Sequence, residues 1–424
     1  MRHAGRARQT FHMAPGTADA RRLRIGFIHP VLGLGGAERL VVDAALELRA
    51  RGHEVAILTA EWTPARAFAE TRDGRVQVRV RGGWLPATIA GRLQAPCAIA
   101  RQWWLAAMAM AEGYDVLVTD IAPYALPWLR LLRALPQFGR PAPRLVYYCH
   151  YPDQLLAPAR RGWYRAYRWP LDAVEGPSMR AADLVLVNSA YTARAAARLG
   201  VGDAEILYPG VPVEPYGATP DLTGDESTWL VISRFDPRKN QALAVAAFAR
   251  LRDLAPDVFG RTSLVLAGGL DPSRREDRET AAQLRQLIAG EGLTEKIVLR
   301  LSPGDDQRMA LLRGCLALVH PTPDEHFGIV PVEAMAAGRP VVAVANGGPL
   351  ETVVDGETGF LCAPTPEAFA AAMARLGRDA GLRARLGSAG RARATRFSRR
   401  AFGDALDGVL RGLVDRHGEA ASGP

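Results

Sequence analysis

The chain contains 424 residues, of which 48% are hydrophobic and 23% are charged, a composition typical of a globular protein with two domains. Its net charge is +9, and only two of its 53 basic residues are lysines, Lys239 and Lys296. This charge favours anionic partners such as nucleotides or phospholipid surfaces, but no RNA-binding module motif appears, so nucleic acid is not an expected partner. The apolar stretch 84–111 is interrupted by arginines and is too broken for a transmembrane span, which needs about 20 apolar residues.

The cysteines are scattered along the chain and form neither a zinc motif nor a disulfide framework, which favours a reducing compartment. They are Cys97, Cys149, Cys315 and Cys362. Residues 1–21 are polar and basic without the apolar core of a secretory signal, and we predict a disordered tail there.

The first half of the chain predicts a doubly wound parallel sheet. A buried strand over 22–30 is followed by a glycine turn with an amphipathic helix over 33–53 and by a strand over 54–60. Short apolar runs continue the pattern at 76–80, 115–120, 144–150 and 182–189. In such sheets, ligands bind beyond the carboxyl ends of the strands.

A proline-, glycine- and acid-rich stretch at 208–228 has no periodicity and predicts a hinge, after which a second alternation begins. Strands are predicted at 228–234, 262–269, 297–302, 316–321, 340–345 and 358–364, and helices at 241–254, 278–291, 305–314, 365–395 and 398–417, with a further helix inside the stretch 322–340. We therefore expect two α/β, Rossmann-like domains, an N-terminal one over 22–212 and a C-terminal one over 228–395, joined by a hinge over 213–227. A helix over 396–417 is expected to cross back to the N-terminal domain. Residues 1–21 and 418–424 are expected to be tails.

The stretch 322–340 predicts a loop that leads into a helix. Pro331 suits the first helical turn, where its missing N–H would be unpaired in any case, and Gly338 follows the predicted helix end. The unpaired N–H groups at such a helix start favour anions, above all phosphate. Glu325 before the helix and Glu333 about one turn inside it can accept hydrogen bonds from hydroxyl groups, as a sugar nucleotide requires. The alternative is a buried helix with two solvated glutamates.

Two cations, Arg234 and Lys239, follow the first strand of the second half. Together they can neutralise a diphosphate leaving group, each charge-assisted hydrogen bond contributing about 1.5–3 kcal/mol. The alternative is a solvated basic loop. A metal site is not indicated, because there is no D-x-D motif, the eight histidines are dispersed, and Asp305 and Asp306 are predicted to cap a helix. We therefore expect the diphosphate charge to be met without a metal ion.

Glycines open the first helix at Gly33, Gly35 and Gly36. A dinucleotide fingerprint needs a further glycine where this chain has Glu38, so a nicotinamide cofactor is disfavoured. Adjacent glycines still allow a ligand to approach the backbone at the helix start. The alternative is tight packing of the helix on its strand.

A histidine, His150, ends a strand of the first half and is predicted to line the reaction centre; the alternative is a core histidine bonded to backbone. Asp153 is predicted either to cap the following helix or to orient an acceptor. The stretch 160–176 interleaves arginine with tryptophan and tyrosine, as in a surface that contacts phospholipid headgroups, and Trp103 and Trp104 are expected on the same surface. An ordinary helical face packed on the core is the alternative.

Several motifs, taken in order and spacing, resemble the retaining glycosyltransferases of family four. They are IGFIHPVLGLGGAERLVVDAALEL, YYCHYPD, LVNSAYTA, LYPGV, ISRFDPRKN, EHFGIVPVEAMAAGRPVVAVANGGPLE and TGFLC, and they extend from about residue 22 to about residue 376. The resemblance implies the GT-B fold, in which two Rossmann-like domains face a cleft.

The resemblance also implies roles for individual residues. Glu325 would contact hydroxyls of the transferred sugar, Glu333 would hold the nucleotide ribose, and His150 would lie by the anomeric carbon and assist the transfer. The other donor-binding positions would be Gly35, Gly36, Arg234, Lys239, His326, Phe327, Gly328 and Ile329.

By the same resemblance, the donor would be GDP-mannose, the acceptor a lipid-linked mannosyl glycan, the outcome net retention, and no cofactor or metal would be needed. The location would be cytoplasmic, peripheral on the cytosolic face of a membrane. Eukaryotic relatives carry extra hydrophobic segments that this chain lacks, which leaves open another sugar nucleotide for bacterial polysaccharide or glycolipid synthesis. A nonhydrolysing sugar-nucleotide epimerase on the same fold and a catalytically idle scaffold are the remaining alternatives.

Overall fold

The computed structural model describes residues 21–89, 94–135, 141–156, 162–216 and 227–421. The chain divides into two units, one formed by residues up to Gly210 together with those from Arg399 onward, and the other by Val211–Ser398. Most of the predicted N-terminal tail and most of the predicted hinge, 213–227, lie outside the described residues.

The first unit is built on a parallel sheet. Its strands are β1 (Arg24–Ile28), β2 (Val31–Leu32), β3 (Glu54–Thr59), β4 (Glu61–Trp62), β5 (Gln77–Val80), β6 (Val116–Asp120), β7 (Arg144–Cys149), β8 (Leu184–Val187) and β9 (Glu205–Ile206). Among the described residues, seven of them form one sheet in the order β5-β3-β1-β6-β7-β8-β9, while β2 and β4 pair separately. The predicted strands of the first half are therefore confirmed, with ends shifted by a few residues.

Helices cover both faces of this sheet, which is why its strands are apolar on both sides. They are α1 (Gly36–Ala50), α2 (Ala69–Arg72), α3 (Gln94–Glu112), α4 (Leu126–Arg133), α5 (Asp153–Leu156), α6 (Gly162–Met179) and α7 (Ala190–Ala197). On one face Leu48 of α1 is fully buried, and on the other Leu105 of α3 and Leu129 of α4 are fully buried.

The last helix of the chain, Arg399–Ala421, packs against α1 and completes the core on that face with Phe402 and Leu410. Polar contacts hold it in place, because Arg51 donates to Asp404 at 2.5 Å and His53 Nε2 lies 2.6 Å from Asp407 Oδ1. The helix runs beyond its predicted end at residue 417, so the predicted tail at 418–424 is wrong in its first residues.

The second unit repeats the α/β alternation. Its strands are β10 (Thr228–Ile232), β11 (Ser263–Gly268), β12 (Ile297–Leu301), β13 (Ala317–His320), β14 (Val341–Val344) and β15 (Gly359–Cys362). Its helices are α8 (Gln241–Leu254), α9 (Pro256–Arg261), α10 (Arg275–Gly290), α11 (Asp305–Gly314), α12 (Ile329–Ala336), α13 (Pro349–Thr352), α14 (Pro366–Arg378) and α15 (Ala380–Ala394); the last helix of the chain is then α16. The strands are parallel in the order β12-β11-β10-β13-β14-β15.

Some predicted helix ends differ from the structure. The helix predicted over 365–395 is two helices, since Asp379 lies between them and its carboxylate accepts a 2.7 Å hydrogen bond from the Leu382 N–H, capping α15. Gly304, rather than Asp305 or Asp306, occupies the N-cap of α11, and the two aspartates form its first turn. There they still complement the helix dipole.

Within the described residues, the longest apolar helices are either too short or too polar to cross a lipid bilayer.

Candidate active site

The predicted loop and helix at 322–340 lie in the second unit and carry both predicted glutamates, Glu325 and Glu333. The loop leaves β13 after His320 and enters α12 at Ile329, with Gly328 as the N-cap residue at φ 90°. The loop after β14 packs against this loop. The Gly348 N–H donates to the Glu325 carbonyl at 2.6 Å, and a Cβ on Gly347 would lie only 2.3 Å from the same oxygen. Only glycine permits this approach, so the backbone of Glu325 is held rigidly.

The side chain of Glu325 meets a cation from another loop. Lys239 Nζ donates to Glu325 Oε2 at 2.8 Å, and His320 Nε2 lies 3.5 Å from the same oxygen. Burial by itself would raise the pKa of Glu325, but His320 and the charge of Lys239 hold that pKa well below its usual range. Glu325 is therefore a carboxylate at neutral pH.

The loop after β10 carries the two predicted cations. Lys239 ends a short 3-10 turn, Pro237–Lys239, whose N-cap Asp236 is buried and accepts from the Arg238 N–H at 3.0 Å. The hydrogen bond from the Arg238 guanidinium is the main reason why the pKa of Asp236 falls to about 2. The Arg234 guanidinium lies 3.4 Å from Asp236 and its side chain is 52% exposed, so it remains accessible to an anion.

The second glutamate, Glu333, is buried in α12 and forms an ion pair with Arg308 of α11. The alternative of two solvated glutamates is therefore wrong. Tyr216 lies near this pair: burial, followed by the charge of Glu333, raises the pKa of its phenol to about 12. Arg308 was not predicted from the sequence, since one arginine among many on a polar helix gives no signal of its own.

The next residue after Glu325, His326, is uncharged at neutral pH, because burial lowers its pKa to about 4. The donor positions predicted in the second unit thus converge on one place: the loop after β10, the loop after β13 and the start of α12. Phe327 is buried there and its ring packs edge-on against Phe397, with 5.6 Å between ring centroids.

In the first unit, three adjacent strand ends bring polar side chains together. His29 follows β1, Asp120 ends β6 and His150 follows β7. His29 Nδ1 lies 2.8 Å from Asp120 Oδ1, and His150 Nε2 lies 3.3 Å from Asp120 Oδ2. The sequence predicted His150 alone. The register of parallel strands was the signal that could have found the other two, because it aligns their carboxyl ends.

At the start of α1, Gly35 is the N-cap residue in an extended conformation and Gly36 is the first helical residue. The Glu38 carboxylate folds back over Gly35, since a Cβ there would lie 2.2 Å from Glu38 Oε2, whereas nothing lies within 4 Å of a Cβ on Gly36. The glycine thus makes room for a side chain of its own helix.

The predicted membrane-facing stretch is helix α6, although residues 157–161 lie outside the described ones. Trp169 is 71% exposed, whereas Arg168 is buried in ion pairs with Asp153 at 2.7 Å and Asp172 at 2.9 Å. Arg168 is therefore a structural residue, and Asp153, the first residue of α5, is its partner and not a helix cap.

Two tryptophans of α3 are also exposed. Trp103 is 48% and Trp104 36% exposed, and Trp104 packs edge-on against Trp84, with 5.4 Å between ring centroids. All four cysteines are buried and unbridged. Over the described part of the chain, no three His, Cys, Asp or Glu side chains are arranged as a metal site.

Solved structures with a similar fold align with almost the whole chain. Sucrose-phosphate synthase from Thermosynechococcus elongatus aligns with 93% of this chain and 100% of its own, at a TM-score of 0.75 and 24% identity. Anabaena HepE in complex with UDP and glucose aligns with 92% and 99%, at a TM-score of 0.69 and 22% identity. These likenesses confirm the predicted GT-B fold with its two Rossmann-like units.

The sequence matches the families described as Glycosyltransferase Family 4, over residues 34–215, and Glycosyl transferases group 1, over residues 218–393. The mouse alpha-1,3/1,6-mannosyltransferase ALG2 is 37% identical over 406 residues, which cover 92% of this chain and 96% of the mouse protein. The Saccharomyces cerevisiae protein of the same name is 34% identical over 395 residues, covering 82% and 76%. This chain is thus a glycosyltransferase, as predicted. Within that class, it belongs to the alpha-1,3/1,6-mannosyltransferase family.

Proposed function

We propose that this enzyme transfers mannose from GDP-mannose to a lipid-linked mannosyl glycan and retains the configuration at the anomeric carbon. The printed names of its relatives in mouse and yeast support mannose as the sugar. The observation that carries the proposal is the 2.8 Å contact between Lys239 and Glu325 beside the start of α12. This contact places a cation that can bind a diphosphate next to a carboxylate that can accept hydrogen bonds from sugar hydroxyls.

In this proposal the diphosphate of the donor binds to Arg234, Lys239 and the first N–H groups of α12. The Arg234 side chain is about half exposed and the Lys239 side chain is partly exposed, so both can reach an incoming anion. Their positive charges and the helix dipole stabilise the negative charge that develops as GDP departs. Little free energy is needed to bring these groups into position. The buried Asp236 orders the turn that carries Lys239, and the close approach of Gly347 fixes the backbone of Glu325, to which Lys239 is bonded.

In this proposal Glu325 binds the hexose of the donor. Its carboxylate is charged at neutral pH and can only accept hydrogen bonds, which is the chemistry that sugar hydroxyls need. Lys239 has three N–H donors, so one can stay with Glu325 while another reaches the diphosphate. In the same way, Glu333, fixed by Arg308, is proposed to accept from the ribose hydroxyls.

The transfer itself breaks the bond between the anomeric carbon and the diphosphate oxygen. The acceptor hydroxyl oxygen forms the new bond on the same face, through an oxocarbenium-like transition state, and its proton passes to the departing diphosphate. Retention follows, because attack and departure share one face. We assign His150 to a position beside the anomeric carbon, where its ring assists the transfer.

We further propose that the enzyme meets its acceptor at a membrane surface, through the first unit. The observation behind this is a group of exposed tryptophans on helices that share one layer, Trp103 on α3 and Trp169 on α6, at 48% and 71% exposure. Tryptophan prefers the headgroup region of a bilayer. Cosedimentation with vesicles of anionic lipid should fall when Trp169→Ala is introduced, and should not fall for Trp229→Phe, a change within the core of the second unit.

The transfer proposal is tested by incubating the protein with radiolabelled GDP-mannose and a panel of lipid-linked mannosyl acceptors. We expect alpha-linked mannose in the lipid phase with wild type, and about 10²–10³-fold less with Glu325→Gln. Parallel reactions with UDP-glucose and ADP-glucose decide between donors. Transfer from one of these and none from GDP-mannose would overturn the donor assignment.

A further inference from the structure

The three polar residues at the strand ends of the first unit include two, His29 and Asp120, that the proposed transfer does not use. Asp120 is 1% exposed and His29 is not exposed at all. His29 Nδ1 lies 2.8 Å and 3.0 Å from the two oxygens of Asp120, and His150 Nε2 lies 3.3 Å from Oδ2. A buried carboxylate held between two imidazoles costs stability compared with an apolar group, so its presence calls for a reason.

The protonation pattern of this group follows from hydrogen-bond chemistry. Burial by itself would raise the pKa of Asp120, but the charge and hydrogen bonds of His29 and His150 lower it to about 2. Asp120 is therefore ionised at neutral pH, and an ionised carboxylate only accepts hydrogen bonds. The hydrogen between Asp120 and each ring must then be carried by the histidine, on Nδ1 of His29 and on Nε2 of His150.

Other contacts fix the remaining freedom of His150. Its carbonyl oxygen accepts from Asn188 Nδ2 at 2.8 Å, and its ring packs edge-on against Tyr148 with 5.1 Å between centroids. The Tyr148 hydroxyl in turn donates to the Leu207 carbonyl at 3.0 Å. The backbone of His150 is thus held by Asn188 and its ring by Tyr148, and Asp120 determines which nitrogen of that ring carries the hydrogen.

The backbone beside Asp120 is strained. Ile121 has φ 64°, a left-handed conformation that is a genuine outlier for a β-branched residue, and the Ala122 N–H donates to the Asp120 carbonyl at 2.7 Å across it. Strain of this kind costs about 1–3 kcal/mol and is concentrated at functional positions. It indicates that the place of Asp120 is maintained against a local cost.

We propose that Asp120, anchored by His29, is a positioning residue that fixes His150 as the Nε2-protonated ring, so that any proton gained or lost by His150 during transfer is exchanged at Nδ1. The consequence for transfer depends on the function proposed above for His150. The protonation pattern does not depend on it, and it can be measured in the free enzyme.

The variant Asp120→Asn tests this sharply. Oδ1 is the oxygen nearest to His29, so an asparagine that keeps this contact presents its NH₂ group to His150. An amide NH₂ only donates, which would force His150 Nε2 to accept and move the hydrogen to Nδ1. Asp183→Asn is the matched control: it changes a carboxylate of the same sheet that pairs with Arg133 and accepts from the Leu145 N–H at 2.8 Å.

The experiment is nitrogen NMR of full-length protein labelled with ¹⁵N-histidine, with the His150 signals assigned by their loss in His150→Gln. We expect the neutral His150 ring to be protonated at Nε2 in wild type and in Asp183→Asn, and at Nδ1 in Asp120→Asn. Protonation at Nδ1 in wild type, or an unchanged nitrogen in Asp120→Asn, would overturn the proposal. The wild-type measurement decides the matter alone if Asp120→Asn fails to fold.

Kinetics provide the second readout. Asp120→Asn should lower kcat by about 10²-fold, because the His150 ring then presents the wrong nitrogen beside the anomeric carbon, while KM for GDP-mannose stays within about 3-fold, because the proposed contacts to the diphosphate and the ribose lie in the second unit. An unchanged kcat would contradict the positioning role. If wild type transfers no mannose at all, the proposed function fails, but the NMR result still tests the assignment of the proton.

Discussion

Lys239 and Glu325, which lie 86 residues apart in the sequence, form a 2.8 Å ion pair between the loops after β10 and β13. The pair brings together the two kinds of group that a nucleotide sugar requires. Together with the hydrogen bond from His320, the charge of Lys239 keeps the pKa of Glu325 low, so the carboxylate stays charged despite its burial. The same pair also predicts how substitutions at each residue will behave.

Replacing the cations should slow transfer. Arg234→Ala and Lys239→Ala are each expected to lower turnover by about 10²–10³-fold, because each removes a fixed positive charge from the departing diphosphate. The measurement is the steady-state rate with saturating donor. Lys296→Ala is the matched control, since the only other lysine donates to backbone carbonyls of Phe259, Gly260 and Thr262. Full activity of both cation variants would remove the diphosphate assignment.

The charge of Glu325 makes a stability contribution that depends on pH. Its folded-state pKa is depressed, so the contribution is fully present above the unfolded-state pKa, about 4.3, and is lost as pH falls toward the folded-state pKa. Urea unfolding of wild type and Glu325→Gln should therefore show a constant difference in the free energy of unfolding from about pH 8 to about pH 5 and a shrinking one below. A difference that grows on acidification would contradict the ion pair.

Breaking the buried pair of Glu333 should destabilise the second unit. Arg308→Leu removes the Arg308 cation from the buried Glu333 carboxylate, and we expect a loss of about 3 kcal/mol in the free energy of unfolding. The double variant with Glu333→Leu should recover most of that loss, because the buried carboxylate is then removed together with the arginine. Equal stability of Arg308→Leu and wild type in chemical denaturation would show that the pair contributes nothing.

Removing divalent metal should leave transfer intact. Arg234, Lys239 and the start of α12 already supply positive charge to the diphosphate, so enzyme dialysed against EDTA and assayed in its presence should retain wild-type turnover. Loss of activity in EDTA that returns with added Mg²⁺ would instead assign part of that charge to a metal ion.

The sequence was sufficient for the α/β class, for most strands and for the loop-to-helix stretch around Glu325, because alternating apolar runs and the Pro331 and Gly338 signals are local. It was insufficient where partners come from distant elements. Nothing near Glu333 in the sequence points to Arg308, and nothing near His150 points to Asp120, since both pairs are created by the order of strands and helices. The helix break at Asp379 was missed although Gly377 and Gly381, both poor helix formers, lie two residues away on either side.

The first unit illustrates the same limit on a surface. The stretch 160–176 predicts an interfacial helix from its mixture of arginine and aromatic residues, and Trp169 is indeed exposed. Arg168 has the same local signal but is buried between Asp153 and Asp172. Composition therefore predicts a helix with exposed aromatic residues here, whereas only packing shows which of its side chains reach the solvent.

The most direct test of the central claim is a crystal structure of the enzyme with GDP-mannose bound. In that complex we expect Lys239 Nζ and the Arg234 guanidinium within hydrogen-bond distance of diphosphate oxygens, and the Glu325 carboxylate in contact with hydroxyls of the mannose. A diphosphate bound away from both cations, with the Lys239–Glu325 pair untouched by the ligand, would contradict it.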